Sequence, residues 1–192
     1  VTDDKKRRGL FFNAFTGRGG DVSGEGSGGI REKLQAAFGT NRRGGVNTKA
    51  AAQRLGVSQR TVQRWVTESG KEKSRPSAKH LKSINQKSRQ AATTKRGRRA
   101  IVKGLKPSIK RGKYVSIGAM QGPKKGGKDY FRDRDVTLPG PLSPDDTNML
   151  LDAWAEGGDD AAMQQLRDLY GDRYLEDWDF GEIYDINLSD RP

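Results

Sequence analysis

Gln59, Arg60, Gln63 and Arg64 are the side chains whose types and spacing carry the most specific chemistry in this sequence. Their i, i+1, i+4, i+5 pattern places them on one side of a helix. An arginine fork pairs with the O6 and N7 edge of guanine, and a glutamine amide with the N6 and N7 edge of adenine. Other reactive residue types offer less. There is no cysteine, which excludes disulfides, thiolate zinc sites and thiol nucleophiles. His80 is the single histidine and lies beside Lys79; it reads as a surface phosphate contact rather than a metal ligand or general base. The acidic pairs Asp145/Asp146 and Asp159/Asp160 are of the type that binds magnesium. Their places in the first turns of two expected helices explain them through the helix dipole instead. Gly122 to Lys128 resembles a phosphate-binding loop after a strand, but Asp129 stands where a Ser or Thr would hold magnesium and another strand should follow. It reads as a basic hairpin loop. Gly24, Gly26 and Gly29 match a dinucleotide-binding pattern with no strand before them, so that match is a linker accident. No metal, no cofactor and no enzymatic activity are expected.

A reading face needs a rigid support, and the segment from Thr48 to Thr67 supplies one. Two short helices that cross steeply need a small residue where they touch, and Ala52 is there. The turn between them needs positive φ, and Gly56 follows four residues later. Ala51, Leu55, Val57, Val62 and Trp65 occupy the five positions that should be buried, and Ser58 is placed to cap the second helix. This is a helix-turn-helix. With Val62 and Trp65 inward, the four polar residues of the second helix must face out. Arg42, Arg43 and Lys49 lie near the first helix and are expected to position the DNA backbone rather than read bases.

The charge distribution agrees. Residues 1–128 hold 32 Lys/Arg against 7 Asp/Glu, and residues 129–192 hold 5 against 17, so +25 and −12 make up the net +13. Segregation on this scale suits a basic part made for a polyanion and an acidic part made for something else. Only 32% of residues are hydrophobic and 25 are glycine, which favours two small cores over one large one. No run approaches the roughly 20 apolar residues of a membrane span, so a cytoplasmic, nucleoid-associated protein is expected.

Along the chain, residues 1–29 are rich in Gly, Arg and Ser and are expected to be disordered. Residues 30–70 form the helix-turn-helix domain, opened by a helix with Ile30, Leu34, Ala37 and Phe38 on one face. Residues 71–113 make a basic helix and linker. Ser77 to about Thr94 suits a helix with a stripe of Leu81, Ile84, Ala91 and Ala92, while 95–113 is balanced between a basic tail and order. Residues 114–192 read as an acidic α+β domain in the order β-β-α-α-β. Its strands are Tyr114–Met120, Tyr130–Leu138 and Phe180–Leu188. Ser143 caps one helix, which carries Met149, Leu150, Ala153 and Trp154 and stops at Gly157-Gly158. Asp159 caps a second, which stops at Gly171. The class is mainly α with a small α+β C-terminal part.

The segment Thr48–Arg64 resembles the telomere terminal proteins of Streptomyces linear chromosomes and plasmids. Ile30–Phe38, Gln90–Thr94, Ile117-Gly118, Val136–Pro139 and the final β-α-α-β stretch fall in that family's order. The resemblance implies a protein covalently attached to the 5′ ends of linear DNA, whose side-chain hydroxyl primes the synthesis that patches a recessed end. A DNA polymerase and a telomere-associated protein would be partners, alongside double-stranded and terminal DNA. The family's priming threonine follows its Ile-Gly pair closely. Here Ala119 and Met120 follow, and no hydroxyl occurs between Ile117 and Asp129. Ser116 and Tyr130 are the candidate attachment residues, unless this chain binds such DNA without being joined to it. A transcriptional regulator or replication initiator of a plasmid or phage, with the acidic domain as a homodimer interface, is the alternative.

Overall fold

A computed structural model of the chain describes residues 4–18, 22, 29–67 and 74–191. The chain divides into two units, residues 17–94, and residues 1–16 together with 95–192. Among the described residues no helix is long and apolar enough to cross a membrane.

The first unit is helical. α2 (Ile30–Phe38) stops at Gly39, whose φ of 83° suits a residue without Cβ. α3 (Thr48–Leu55) starts under Asn47, whose side chain accepts the Ala50 N–H at 3.1 Å. α4 (Gln59–Val66) starts under Ser58, and α5 (Ala78–Thr93) under Ser77. Leu34, Val46, Ala51, Ala52, Val62, Trp65 and Ile84 form one buried cluster, with Leu55 and Val57 partly buried against it. α5 packs on α2. Its buried face is Ile84, Ser88, Ala91 and Ala92. Leu81, expected in that stripe, stays 40% exposed. Ser88 tolerates burial because its hydroxyl donates to the Asn85 carbonyl.

The second unit is built on an antiparallel sheet. β1 (Tyr114–Lys125) is central, with β3 (Arg132–Thr137) on one side and β4 (Trp178–Ser189) on the other. β2 (Lys128–Asp129) pairs with the far end of β1. The hairpin turn is Gly126-Gly127, with φ of 58° and 73°, the geometry of a two-residue turn that follows strand twist. The strand read at Phe180–Leu188 needs a correction. The register against β1 slips twice, so Phe180, Ile183 and Ile186 all face the core while Glu182 and Tyr184 are exposed. Each bulge adds one residue and turns the following side chains over, which is why Ile183 broke the alternation.

α7 (Pro144–Arg173) opens on Ser143 with a capping box to Asp146. It breaks at Gly158, φ 76° and ψ −156°, as its glycines predict, and continues past Gly171. Leu150, Leu151, Trp154, Met163, Leu166 and Tyr170 are buried from it, whereas Met149 is 55% exposed.

Two segments depart from expectation. Residues 4–16 are not disordered: they form α1 (Asp4–Thr16) in the second unit. Phe12 and Phe15 pack on Trp154, at centroid distances of 6.2 and 5.8 Å, and Phe11 packs edge-on to Phe15. The glycine-rich run 23–28 lies outside the described residues. The basic linker 71–113 is also not one element, since α5 belongs with the helix-turn-helix and residues 95–113 with the second unit. There α6 (Lys95–Leu105) and a 3-10 turn (Lys106–Ser108) are ordered.

Candidate nucleic-acid interface

The interface begins with the turn between α3 and α4. Gly56 takes φ 68° and ψ 35°, and the N–H groups of Gly56 and Val57 both donate to the Ala52 carbonyl. That closes α3 and reverses the chain within three residues. Ser58 then accepts the Thr61 N–H at 3.1 Å, and the two hydroxyls lie 2.8 Å apart. α4 is eight residues long, so its cap matters: Ser58→Ala should cost about 1 kcal/mol. Thermal unfolding followed by the 19F resonance of fluorotryptophan at position 65 would measure this, and Ser58→Asp should retain most of the stability.

Burial of Val62 and Trp65 fixes the rotation of α4 and leaves Gln59, Arg60, Gln63 and Arg64 exposed, as their spacing requires. They are not equivalent. The Gln59 amide donates to the Thr48 hydroxyl at 3.0 Å, tying the start of α4 to the start of α3. Arg60 and Arg64 have no carboxylate partner among the described residues. Gln63 borders an open groove of about 400 Å³ shared with Arg31, Asn41 and Thr48.

Arg42, Arg43 and Lys49 are exposed, as expected of backbone contacts. The loop bearing the two arginines is organised by Asn41. Its Oδ1 accepts from the N–H groups of Arg43 and Gly45 at 2.9 and 3.0 Å, and its own N–H donates to the Gly45 carbonyl. A bridge between Thr40 and Val46 closes the loop. Sequence reasoning singled out neither Asn41, Thr48 nor Arg31. An asparagine ahead of Gly44-Gly45 was a legible turn signal, but nothing marks Arg31 without the fold. His80 is not a free surface contact. Its ring lies 5.6 Å from Trp65, with Nδ1 2.9 Å from the Ser77 hydroxyl, so it packs α5 against α4.

The two units divide the charge differently from the two halves of the sequence. Residues 17–94 hold 16 Lys/Arg and 5 Asp/Glu, or +11; the remainder holds 21 and 19, or +2. In the second unit acidic α7 meets basic α6. Lys95 and Arg99 both bind Glu156, and from outside α6 Lys106 of the 3-10 turn binds Asp152 and Arg7 binds Asp160. Hydrogen bonds from Arg99 and Lys95 hold the Glu156 carboxyl down at about 2. Much of the acidity read as made for a partner is therefore met within the unit itself, and the helix-turn-helix unit carries most of the surplus positive charge.

The candidate attachment residues both lie in the second unit and are not brought together. Ser116 is half-buried within β1, where its hydroxyl accepts from Thr137 at 3.2 Å. Tyr130 follows β2, is 53% exposed, and donates its backbone N–H to the Pro123 carbonyl. A third hydroxyl escaped notice. Tyr184 lies over Gly118 and donates to Asp133, a bond that pushes the phenol up to about 12. The bulged register that brings it there is invisible to a strict alternation.

Residues 29–72 match the homeodomain-like domain family. No curated protein and no solved structure matches the chain significantly. The first unit is thus a helix-turn-helix DNA-binding domain, by its geometry and by this match.

Proposed function

We propose that this DNA-binding chain caps the ends of a linear replicon, with α4 reading the terminal duplex and Tyr130 joined to the 5′ end. The observation that carries DNA recognition is the exposed Arg60, Gln63 and Arg64 face on a helix fixed by Val62 and Trp65. The end-capping role rests on the ordered resemblance from Ile30 onward to telomere terminal proteins. Of the two candidate hydroxyls, exposure favours Tyr130, since Ser116 is half-buried and already accepts from Thr137. In the priming step the phenol oxygen attacks the α-phosphorus of a deoxynucleoside triphosphate. A phosphodiester forms, pyrophosphate leaves, and the phenolic proton passes to solvent. The polymerase supplies metal and nucleotide, and a telomere-associated protein delivers the end.

The test is to isolate replicon DNA without protease, digest it with nuclease, and analyse the peptides of this chain by mass spectrometry. A nucleotide on Tyr130, lost in Tyr130→Phe, is the expected result. A wholly unmodified population in cells would overturn end attachment. That outcome would favour a regulator or replication initiator, to which the homeodomain-like match is equally suited. In that case the second unit dimerises, and the half-sites lie one helical turn or a multiple apart.

A further inference from the structure

We infer that the β1–β2 hairpin of the second unit is a second DNA contact, gripping the phosphate backbone through Lys125 and Lys128. The inference rests on the DNA-binding reading but uses no residue of the helix-turn-helix. Lys125 and Lys128 are register partners flanking the turn, so their ammonium groups leave the same face of the ribbon. Like charges directly opposite each other cost stability, and no ion pair among the described residues offsets that cost at Lys125 or Lys128. Lys124 is paired with Asp179 at 2.6 Å, yet Lys125, Lys128 and Arg132 have no carboxylate partner among the described residues. Arg7, Lys95, Arg99, Lys106 and Lys113 of the same unit are paired, whereas Arg96, Lys103 and Lys110 share the lack of a carboxylate partner among the described residues. What sets Lys125 and Lys128 apart is that they face each other across the ribbon.

The shape suits the same partner. A side chain at Gly126 or Gly127 would meet nothing within 4 Å, so the tip is open on all sides. Both glycines hold positive φ, which makes the tip a defined turn rather than a loose loop. A two-stranded ribbon is narrow enough to enter a major groove. Tyr130 follows Lys128 by two residues and is exposed. Charge complementarity selects the occupant: two unpaired ammonium groups on an open tip, in a chain that holds a polyanion, fit the phosphates of duplex DNA.

The experiment measures binding of the full chain to a random-sequence duplex across a potassium chloride series, comparing the native chain with Lys125→Gln, Lys128→Gln and the double variant. Each phosphate contact contributes about 0.9 to the slope of log K against log salt. The slope should therefore fall by about 0.9 for each single variant and about 1.8 for the double one. The preference for a selected site over random duplex should not change. Without DNA, the double variant should unfold no earlier than the native chain, because the facing charges are gone; earlier unfolding with an unchanged slope would overturn the proposal. So would an unchanged slope in a stably folded double variant, or a change seen with an acidic protein or RNA but not with duplex DNA. Arg60→Ala with Arg64→Ala serves as the separate control. If that pair leaves site preference intact while the lysine variants lower the slope, the helix-turn-helix reading fails and the ribbon contact stands.

Discussion

Removing residues 1–16 should destabilise the second unit by several kcal/mol and leave the first unit unchanged. Phe11 and Phe12 are fully buried and Phe15 is 5% exposed, and truncating one buried phenylalanine to alanine costs about 3–5 kcal/mol. Three such losses cannot be summed, since Phe11 and Phe15 touch and Phe12 and Phe15 share Trp154. Even one is a large part of the 5–15 kcal/mol that typically separates folded from unfolded. Fluorotryptophan labelling, read by 19F resonances, separates the three tryptophans. Trp154 and Trp178 report the second unit and Trp65 the first. Denaturant titration of Phe12→Ala in the full chain should lower the midpoint of the Trp154 transition and spare that of Trp65. Phe12→Leu should recover most of the loss. Coincident curves for the native and truncated chains would show that α1 contributes nothing to the core.

The helix-turn-helix was legible almost residue by residue because its constraints are local. A small residue at the crossing, a positive-φ glycine and a hydroxyl cap each sit at a fixed offset, and the structure places Ala52, Gly56 and Ser58 in those roles. The glycine break in α7 was legible for the same reason. α1 was not, because its signal is three phenylalanines within five residues, diluted by the glycine and arginine around them. Their burial depends on Trp154, about 140 residues away. The sequence leaves residues 95–113 balanced between a basic tail and order for a like reason, since a helix with Lys95, Arg99 and Lys106 on or beside it looks like a polyanion ligand until Glu156 and Asp152 appear next to it. Charge counted along a chain says what a segment repels; only the fold says what has already neutralised it.

The interface itself yields the second large effect. Arg60→Ala and Arg64→Ala should each relax discrimination between a selected site and a single-base variant by about 1–3 kcal/mol, or about 5- to 150-fold. Affinity for random DNA should change much less. Arg→Lys separates the two roles of each residue. Lysine keeps the charge that attracts phosphate but lacks the planar fork that meets O6 and N7 of guanine together. Arg64→Lys should therefore hold non-specific affinity and lose preference, and equal losses on specific and random DNA would mean that the residue touches phosphate alone. Gln59 should behave differently from its neighbours, because its amide is bound to the Thr48 hydroxyl. If that bond is its main role, Gln59→Ala and Thr48→Ala should weaken binding to every site alike, and the double variant should lose no more than either single one. An adenine-specific loss in Gln59→Ala that Thr48→Ala does not share would return Gln59 to the reading face beside Gln63. The three remaining positions, Arg60, Gln63 and Arg64, lie within about one helical turn of one another, so the preference they encode should span only a few adjacent base pairs. Binding-site selection with the full chain should recover a short core that shifts at one position when Arg64 is replaced and at a neighbouring one when Arg60 is replaced.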